Sequence, residues 1–161
     1  MAGSTSQAAA GSVHSPIGGE VVTLDKVPDP VFASGMVGPG IAIAPQGDEE
    51  MEVVAPVSGK VIRIMPHAVV LMSDEGKGIL VHVGIDTVGL KGEGFEILGV
   101  SKKDHVEVGQ PLIRASVQRI REAGLDPICP VVLMDGKEGD VAVTATAGER
   151  VEAGAPIFDL L

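Results

Sequence analysis

Short apolar runs, most of them β-branched, alternate along the chain with clusters of Gly, Pro, Asp and Ser. Val, Ile and Thr suit a pleated, half-buried surface, and the residues between them suit tight turns, so this rhythm predicts strands. The predicted strands cover residues 20–24, 40–44, 52–55, 59–64, 67–73, 79–85, 96–100, 111–115, 128–134, 140–144 and 156–160. Only 116–123 has helical spacing, with Ser116 as N-cap, Val117 and Ile120 three apart, and Gly124 placed to stop it. The pattern implies an all-β sandwich or barrel with one short helix. Residues 1–19 lack a hydrophobic period and are predicted to be a flexible leader, with a single folded domain over 20–161.

One repeat stands out. The segment Val106-Glu107-Val108-Gly109-Gln110-Pro111-Leu112-Ile113 recurs as Val151-Glu152-Ala153-Gly154-Ala155-Pro156-Ile157-Phe158. Each copy sets a glycine where a turn calls for positive φ and then starts an apolar strand, which predicts related positions for two turn-then-strand units.

Composition narrows the function classes. The chain has 24 Val and 12 Ile against 10 Leu, with no Trp or Tyr, which reinforces the β reading. Twelve Lys and Arg against 22 Asp and Glu give a net charge of −10, the wrong sign for a nucleic-acid groove or an anionic membrane surface. No apolar run approaches a membrane span, and the N-terminal segment has neither the basic flank nor the apolar core of a secretory signal. The expectation is a soluble protein without membrane insertion. Cys129 is the only thiol, which excludes an intrachain disulfide and a Cys-rich zinc site and fits a reducing cytoplasm.

The candidate chemistry lies between His67 and Asp86. This stretch reads as a hairpin turning at residues 73–76. With a loop centred on Asp74 and Glu75, paired residue numbers sum to 149 and His67 stands directly opposite His82, on the same face. A loop longer or shorter by one residue sends the two to opposite faces. On the second strand Ile79, Val81, Val83 and Ile85 form a core face, while Leu80, His82, Gly84 and Asp86 form the other. A neutral imidazole nitrogen can attack phosphorus while a second imidazole donates to the phosphoryl oxygens. The same pair can hold two corners of a zinc tetrahedron. Two ordinary histidines of a β protein, one in the core and one at a strand edge, fit the same residues. His14, in the leader, and His105, beside Lys102-Lys103-Asp104, are assigned to solvent.

The run Gly76-Lys77-Gly78-Ile79-Leu80-Val81-His82-Val83-Gly84-Ile85-Asp86-Thr87-Val88 resembles the phosphorylation-site signature of the glucose-class enzyme IIA component of the bacterial phosphoenolpyruvate-dependent sugar phosphotransferase system. The resemblance extends through Leu90-Lys91-Gly92-Glu93-Gly94-Phe95, back to Pro30-Val31-Phe32-Ala33-Ser34-Gly35-Met36, Ala55-Pro56-Val57-Ser58-Gly59 and Pro66-His67-Ala68, and on to Pro127-Ile128-Cys129-Pro130-Val131-Val132, covering about Gly19 to the C-terminus. It implies a compact antiparallel β-sandwich or distorted barrel and a cytoplasmic phosphohistidine relay for sugar uptake. In that relay a histidine-containing phosphocarrier protein phosphorylates His82, which passes the group to a cysteine on the IIB domain of a IIB/IIC sugar permease. It implies His67 as the second active-site histidine and Asp86 as an acidic neighbour, with Gly84 and Thr87 as supporting scaffold. Regulated metabolic proteins are further implied partners, and no cofactor is required; a zinc ion bridging His67 and His82 is conceivable but not expected. Hydrophobic residues flanking the signature, Met36, Val37, Ile41 and Val83, are the candidates for partner docking.

Two departures from the family pattern stand out. Pro39 occupies a loop where relatives often carry an acid, and Met65 stands two positions before His67 where many carry a threonine. Two other classes fit the composition less well. A biotinyl- or lipoyl-type carrier module presents a lysine between hydrophobic neighbours, whereas Lys77 lies between glycines. A zinc hydrolase needs a third ligand and a general base, and neither His-x-His nor HExxH occurs.

Overall fold

The computed structural model describes residues 11–161. Among the described residues fourteen strands are formed: β1 (Ser12–His14), β2 (Gly19–Val22), β3 (Gly40–Ala44), β4 (Glu50–Val54), β5 (Gly59–Met65), β6 (Ala68–Ser73), β7 (Gly78–His82), β8 (Phe95–Ile97), β9 (His105–Val106), β10 (Pro111–Ser116), β11 (Cys129–Leu133), β12 (Val141–Val143), β13 (Arg150–Val151) and β14 (Pro156–Leu160). Helix α1 (Pro30–Ala33) follows β2, and α2 (Val117–Glu122) follows β10. Ser116 caps α2 as its spacing predicts, its hydroxyl accepting from the Arg119 N–H at 3.1 Å.

The eight-stranded sheet runs β13-β2-β3-β11-β7-β6-β5-β9, and two three-stranded sheets, β1-β14-β12 and β4-β10-β8, pack on one of its faces. All pairings are antiparallel. The result is sandwich-like rather than a closed barrel. Val21, Ile41, Ile43, Val69, Leu71, Ile79, Val81 and Val131 from the large sheet meet Val13, Val53, Leu112, Ile113, Ile157 and Phe158 from the small ones in a core that excludes water.

The repeated motif marks an internal two-fold. In the large sheet β13-β2-β3-β11 mirrors β9-β5-β6-β7, and the small sheets correspond strand for strand, β14 with β10 and β1 with β4. The two turn glycines are held alike: the Gly109 N–H donates to the Ala55 carbonyl at 2.9 Å, and the Gly154 N–H to the Ser15 carbonyl at 2.8 Å. Both have positive φ, +88° and +93°. Ser15-Pro16-Ile17 and Ala55-Pro56-Val57 thus occupy matching places, a second element of the repeat not recognised from the sequence.

The predicted leader is corrected at its C-terminal end. Residues 12–14 form a strand paired with β14, with Val13 opposite Phe158, and Val13, Ser15 and Ile17 are buried. A three-residue strand gives too short a pattern to read, and distant chain holds it in place: the His14 N–H donates to the Pro56 carbonyl and the Ser15 N–H to the Ala155 carbonyl. His14 is accordingly half-buried rather than solvated. The part of the leader at residues 1–10 lies outside the described residues.

Candidate active site

The two central strands, β6 and β7, end together at the site. Their register is shifted by one from the expected pairing: Ala68, not His67, stands opposite His82, and Val69 faces Val81. The cause is a three-residue loop. Ser73 and Lys77 close it, the Ser73 N–H donating to the Lys77 carbonyl at 2.7 Å, and Gly76 sits inside it at φ +85°. Strict alternation then puts His67 on the wrong face, level with Val83, whose N–H donates to the His67 carbonyl at 2.7 Å. The rings meet nonetheless, with centroids 5.4 Å apart in an edge-to-face arrangement. His67 lies in the turn between β5 and β6, outside the pleat, so its side chain is free of the strand's alternation. Opposite His82, the buried Ala68 carries only a methyl group.

His82 is the last residue of β7, half-buried, on the face that carries Leu80. That face covers a second apolar cluster of Val27, Phe32, Ala42, Ile85, Ile128 and Val132. Phe32, on α1, presents its ring to His82 at 5.5 Å. Asp29 caps this short helix, accepting from the Val31 N–H at 2.8 Å, and Pro30 supplies its first turn. Phe32 was absent from the expected site residues because the contact crosses from a segment with no period of its own.

The strand predicted to continue to Ile85 stops at His82, and Gly84 turns the chain at φ +80°. The Gly84 carbonyl faces back, and His82 Nδ1 lies 2.5 Å from that oxygen. A carbonyl only accepts, so Nδ1 carries the proton and Nε2 keeps its lone pair. A Cβ on Gly84 would stand 2.6 Å from Thr87 Cγ2 and 3.2 Å from the Asp126 carbonyl oxygen, so the turn is built for glycine. Thr87 is buried and its hydroxyl donates to the Val83 carbonyl at 2.6 Å, pinning the turn from the other side. The Ile85 N–H donates to the Asp126 carbonyl at 2.8 Å.

Asp86 is exposed, in the left-handed region at φ +61°, and makes no hydrogen bond or ion pair with either histidine among the described residues. Its carbonyl starts the next turn, accepting from the Gly89 N–H at 3.2 Å. Of the docking candidates, Met36 is 79% exposed and Val37 half-buried, whereas Ile41 (1%) and Val83 (0%) face the main core and offer a partner nothing. Alternation explains both: Ile41 shares a face with Ile43, and Val83 continues the face of Ile79 and Val81. Exposed apolar side chains near the site that the expectation left out are Val31, beside Phe32, and Val88, beside Thr87.

Burial, and then the neighbouring His82, lower the pKa of His67, so this imidazole is held neutral. Met65, whose thioether can only accept, takes a hydrogen bond from Arg63 Nη2 at 3.9 Å. His105 is exposed and sits between Asp74 at 3.0 Å and Glu107 at 3.3 Å, away from the site. Among the described residues no group of three or more His, Cys, Asp or Glu could hold a metal ion. A nitrogen with a free lone pair and a neutral imidazole beside it, at the edge of an apolar cluster, is an arrangement that can attack phosphorus and support the phosphoryl oxygens.

The chain belongs to the EIIA 1 family of the phosphoenolpyruvate-dependent sugar phosphotransferase system, whose family model matches residues 11–139. It is 44% identical over 124 residues to the PTS system glucose-specific EIIA component of Staphylococcus aureus, covering 76% of this chain and 72% of that protein. It is also 44% identical over 148 residues to the PTS system glucoside-specific EIICBA component of Staphylococcus carnosus, covering 91% of this chain but only 20% of that longer protein. Among solved structures it is similar to glucose permease IIA from Mycoplasma capricolum, with a TM-score of 0.80 and 30% identity over 92% of this chain and 94% of that one. The protein is thus a phosphotransferase component, a phosphoryl relay of the sugar phosphotransferase system acting through histidine. No helix among the described residues is long and apolar enough to cross a membrane.

Proposed function

We propose that His82 carries the phosphoryl group and that Nε2 is the nitrogen that accepts it. The observation behind this reading is the 2.5 Å contact between Nδ1 and the Gly84 carbonyl. It places the ring proton on the nitrogen away from the reaction. The Nε2 lone pair attacks phosphorus on the donor's phosphoimidazole, the donor's P–N bond breaks, and its electron pair returns to the donor ring. The group then passes to the sulfur of a IIB cysteine by the same in-line displacement. His67, neutral in the resting protein, donates an N–H to the phosphoryl oxygens as charge builds. Transfer between nitrogen and sulfur nucleophiles supported in this way requires no cofactor.

The donor is the histidine-containing phosphocarrier of the system, and the acceptor is the IIB part of a IIB/IIC permease in the cytoplasm. The names of the relatives favour glucose or a glucoside as the sugar, chosen by the permease. Both partners dock in turn on the apolar rim of Val31, Met36 and Val88, with Val37 at its edge, because each must bring one reacting atom in line with the same nitrogen. The net charge of −10 favours partners that are basic around their active residue. Metabolic proteins that tell the phosphorylated from the free form would read the same rim, since the phosphate adds close to two negative charges at its centre.

Incubation with phosphoenolpyruvate, enzyme I and the phosphocarrier, followed by intact mass, tests the assignment. Wild type should gain one phosphoryl group and His82→Ala none. Undiminished labelling of His82→Ala would overturn it.

A further inference from the structure

One hydrogen bond fixes a point on a ring and leaves its plane free to pivot, so the 2.5 Å contact between His82 Nδ1 and the Gly84 carbonyl does not by itself aim Nε2. Two neighbouring rings constrain the plane. His67 meets the imidazole with centroids 5.4 Å apart and planes at 68°, and Phe32 meets it at 5.5 Å and 60°. Both contacts are edge-to-face, an arrangement that aromatic rings prefer. His67 lies half-buried in a turn, whereas Phe32 is only 6% exposed and shares the second apolar cluster with Val27, Ile85 and Ile128. The backbone under Phe32 is tied as well: the Ala33 N–H donates to the Asp29 carbonyl at 2.9 Å, and the Ser34 N–H to the Pro30 carbonyl at 3.0 Å. Phe32 is thus the firmer of the two walls.

Packing alone does not demand an aromatic here. Every other member of the second cluster is aliphatic, and the chain's other two phenylalanines, Phe95 and Phe158, belong to the main core. A leucine would also bury apolar area in this place; what it lacks is a flat ring with a preferred angle to an imidazole. Resting on the assignment of His82 as the phosphorylated residue, we propose that Phe32 is a positioning residue for phosphoryl transfer. Its ring holds the plane of His82, which keeps Nδ1 on the Gly84 carbonyl and the Nε2 lone pair directed at the donor's phosphorus.

Phe32→Leu keeps an apolar side chain in the cluster and removes the ring, and Phe32→Tyr restores the ring. Val27→Ala loosens the same cluster at a residue that carries no ring. With ring-labelled histidine, the 15N shifts of neutral His82 should show a protonated Nδ1 and a bare Nε2 in wild type, Phe32→Tyr and Val27→Ala, and a mixture of tautomers in Phe32→Leu. The kcat of phosphorylation should fall about tenfold in Phe32→Leu, short of the ~100-fold that a full 1 Å misplacement can cost, and recover in Phe32→Tyr. KM for the phosphocarrier should stay constant; a loss carried by KM would mean that Phe32 acts through its exposed neighbour Val31 on the docking rim, and would overturn the proposal. Unchanged ring shifts and rate in Phe32→Leu, equal effects in Val27→Ala, or mixed tautomers in wild type would overturn it too. Should Phe32→Leu fail to fold, Phe32→Met takes its place on the same readouts, because its unbranched chain fills irregular space. The ring shifts are read without any phosphoryl donor, so a failure of the His82 assignment would leave this test intact and would be recognised separately.

Discussion

Replacing Gly84 by alanine should be far more costly than the same change at another positive-φ glycine, and the difference can be worked from the geometry. An L-residue in the left-handed region costs roughly 1–2 kcal/mol, and Gly84 at φ +80° and Gly109 at φ +88° share that term. At Gly109 the new Cβ meets nothing within 4 Å. At Gly84 it would stand 2.6 Å from Thr87 Cγ2, inside contact distance, with the Asp126 carbonyl at 3.2 Å. Thr87 is buried and β-branched, so relief requires it to turn and surrender its hydrogen bond to the Val83 carbonyl. Leaving that carbonyl unpaired costs about 1–3 kcal/mol more. Gly84→Ala should therefore lose roughly 2–5 kcal/mol against 1–2 for Gly109→Ala, within the margin of a domain of ordinary stability. Urea unfolding measures both. The turn also carries the carbonyl that binds His82 Nδ1, so phosphorylation should slow in Gly84→Ala well below the melting range and stay normal in Gly109→Ala. Equal destabilisation of the two variants, with equal rates, would refute the reasoning.

His67→Gln keeps a donor of similar reach without an imidazole, so transfer should slow while His82 still becomes labelled in the phosphorylation assay; phosphate on His67 in wild type would contradict its supporting role. Because the folded state lowers the pKa of His67 below its ordinary 6.5, the unfolded chain binds more protons there, and stability contributed by this site is present above that pH and lost as pH falls through it. The pH dependence of unfolding between neutral and mildly acid pH should flatten in His67→Gln. Val88→Asp should weaken binding of the phosphocarrier in calorimetry, and rising salt should weaken it in wild type; Met72→Asp, exposed on β6 away from the rim, serves as the control.

The β character and the long strands were legible because they alternate: 40–44 and 156–160 were read with the bounds observed. The short strands β1, β9 and β13 were not, since two or three residues carry no period and are held by backbone bonds to chain far away. The site was legible as two histidines but not as a geometry. Pairing depends on whether Gly76 lies inside the loop, a matter of one dihedral, and the one-residue shift that follows would have separated the rings had His67 been in the pleat. The contacts of Gly84 and Thr87 run through the backbone, which side-chain patterns do not announce. Phe32 reaches His82 only because a capped single turn folds the segment after β2 over the second apolar cluster.

The central claim is that one particular nitrogen accepts the phosphoryl group. Histidine labelled with 15N in the ring, followed by phosphorylation through the phosphocarrier, makes that nitrogen visible through its one-bond coupling to phosphorus. The account predicts a single phosphorus-coupled resonance belonging to Nε2 of His82, with Nδ1 still protonated. Coupling at Nδ1 of His82, or at either nitrogen of His67, would contradict it.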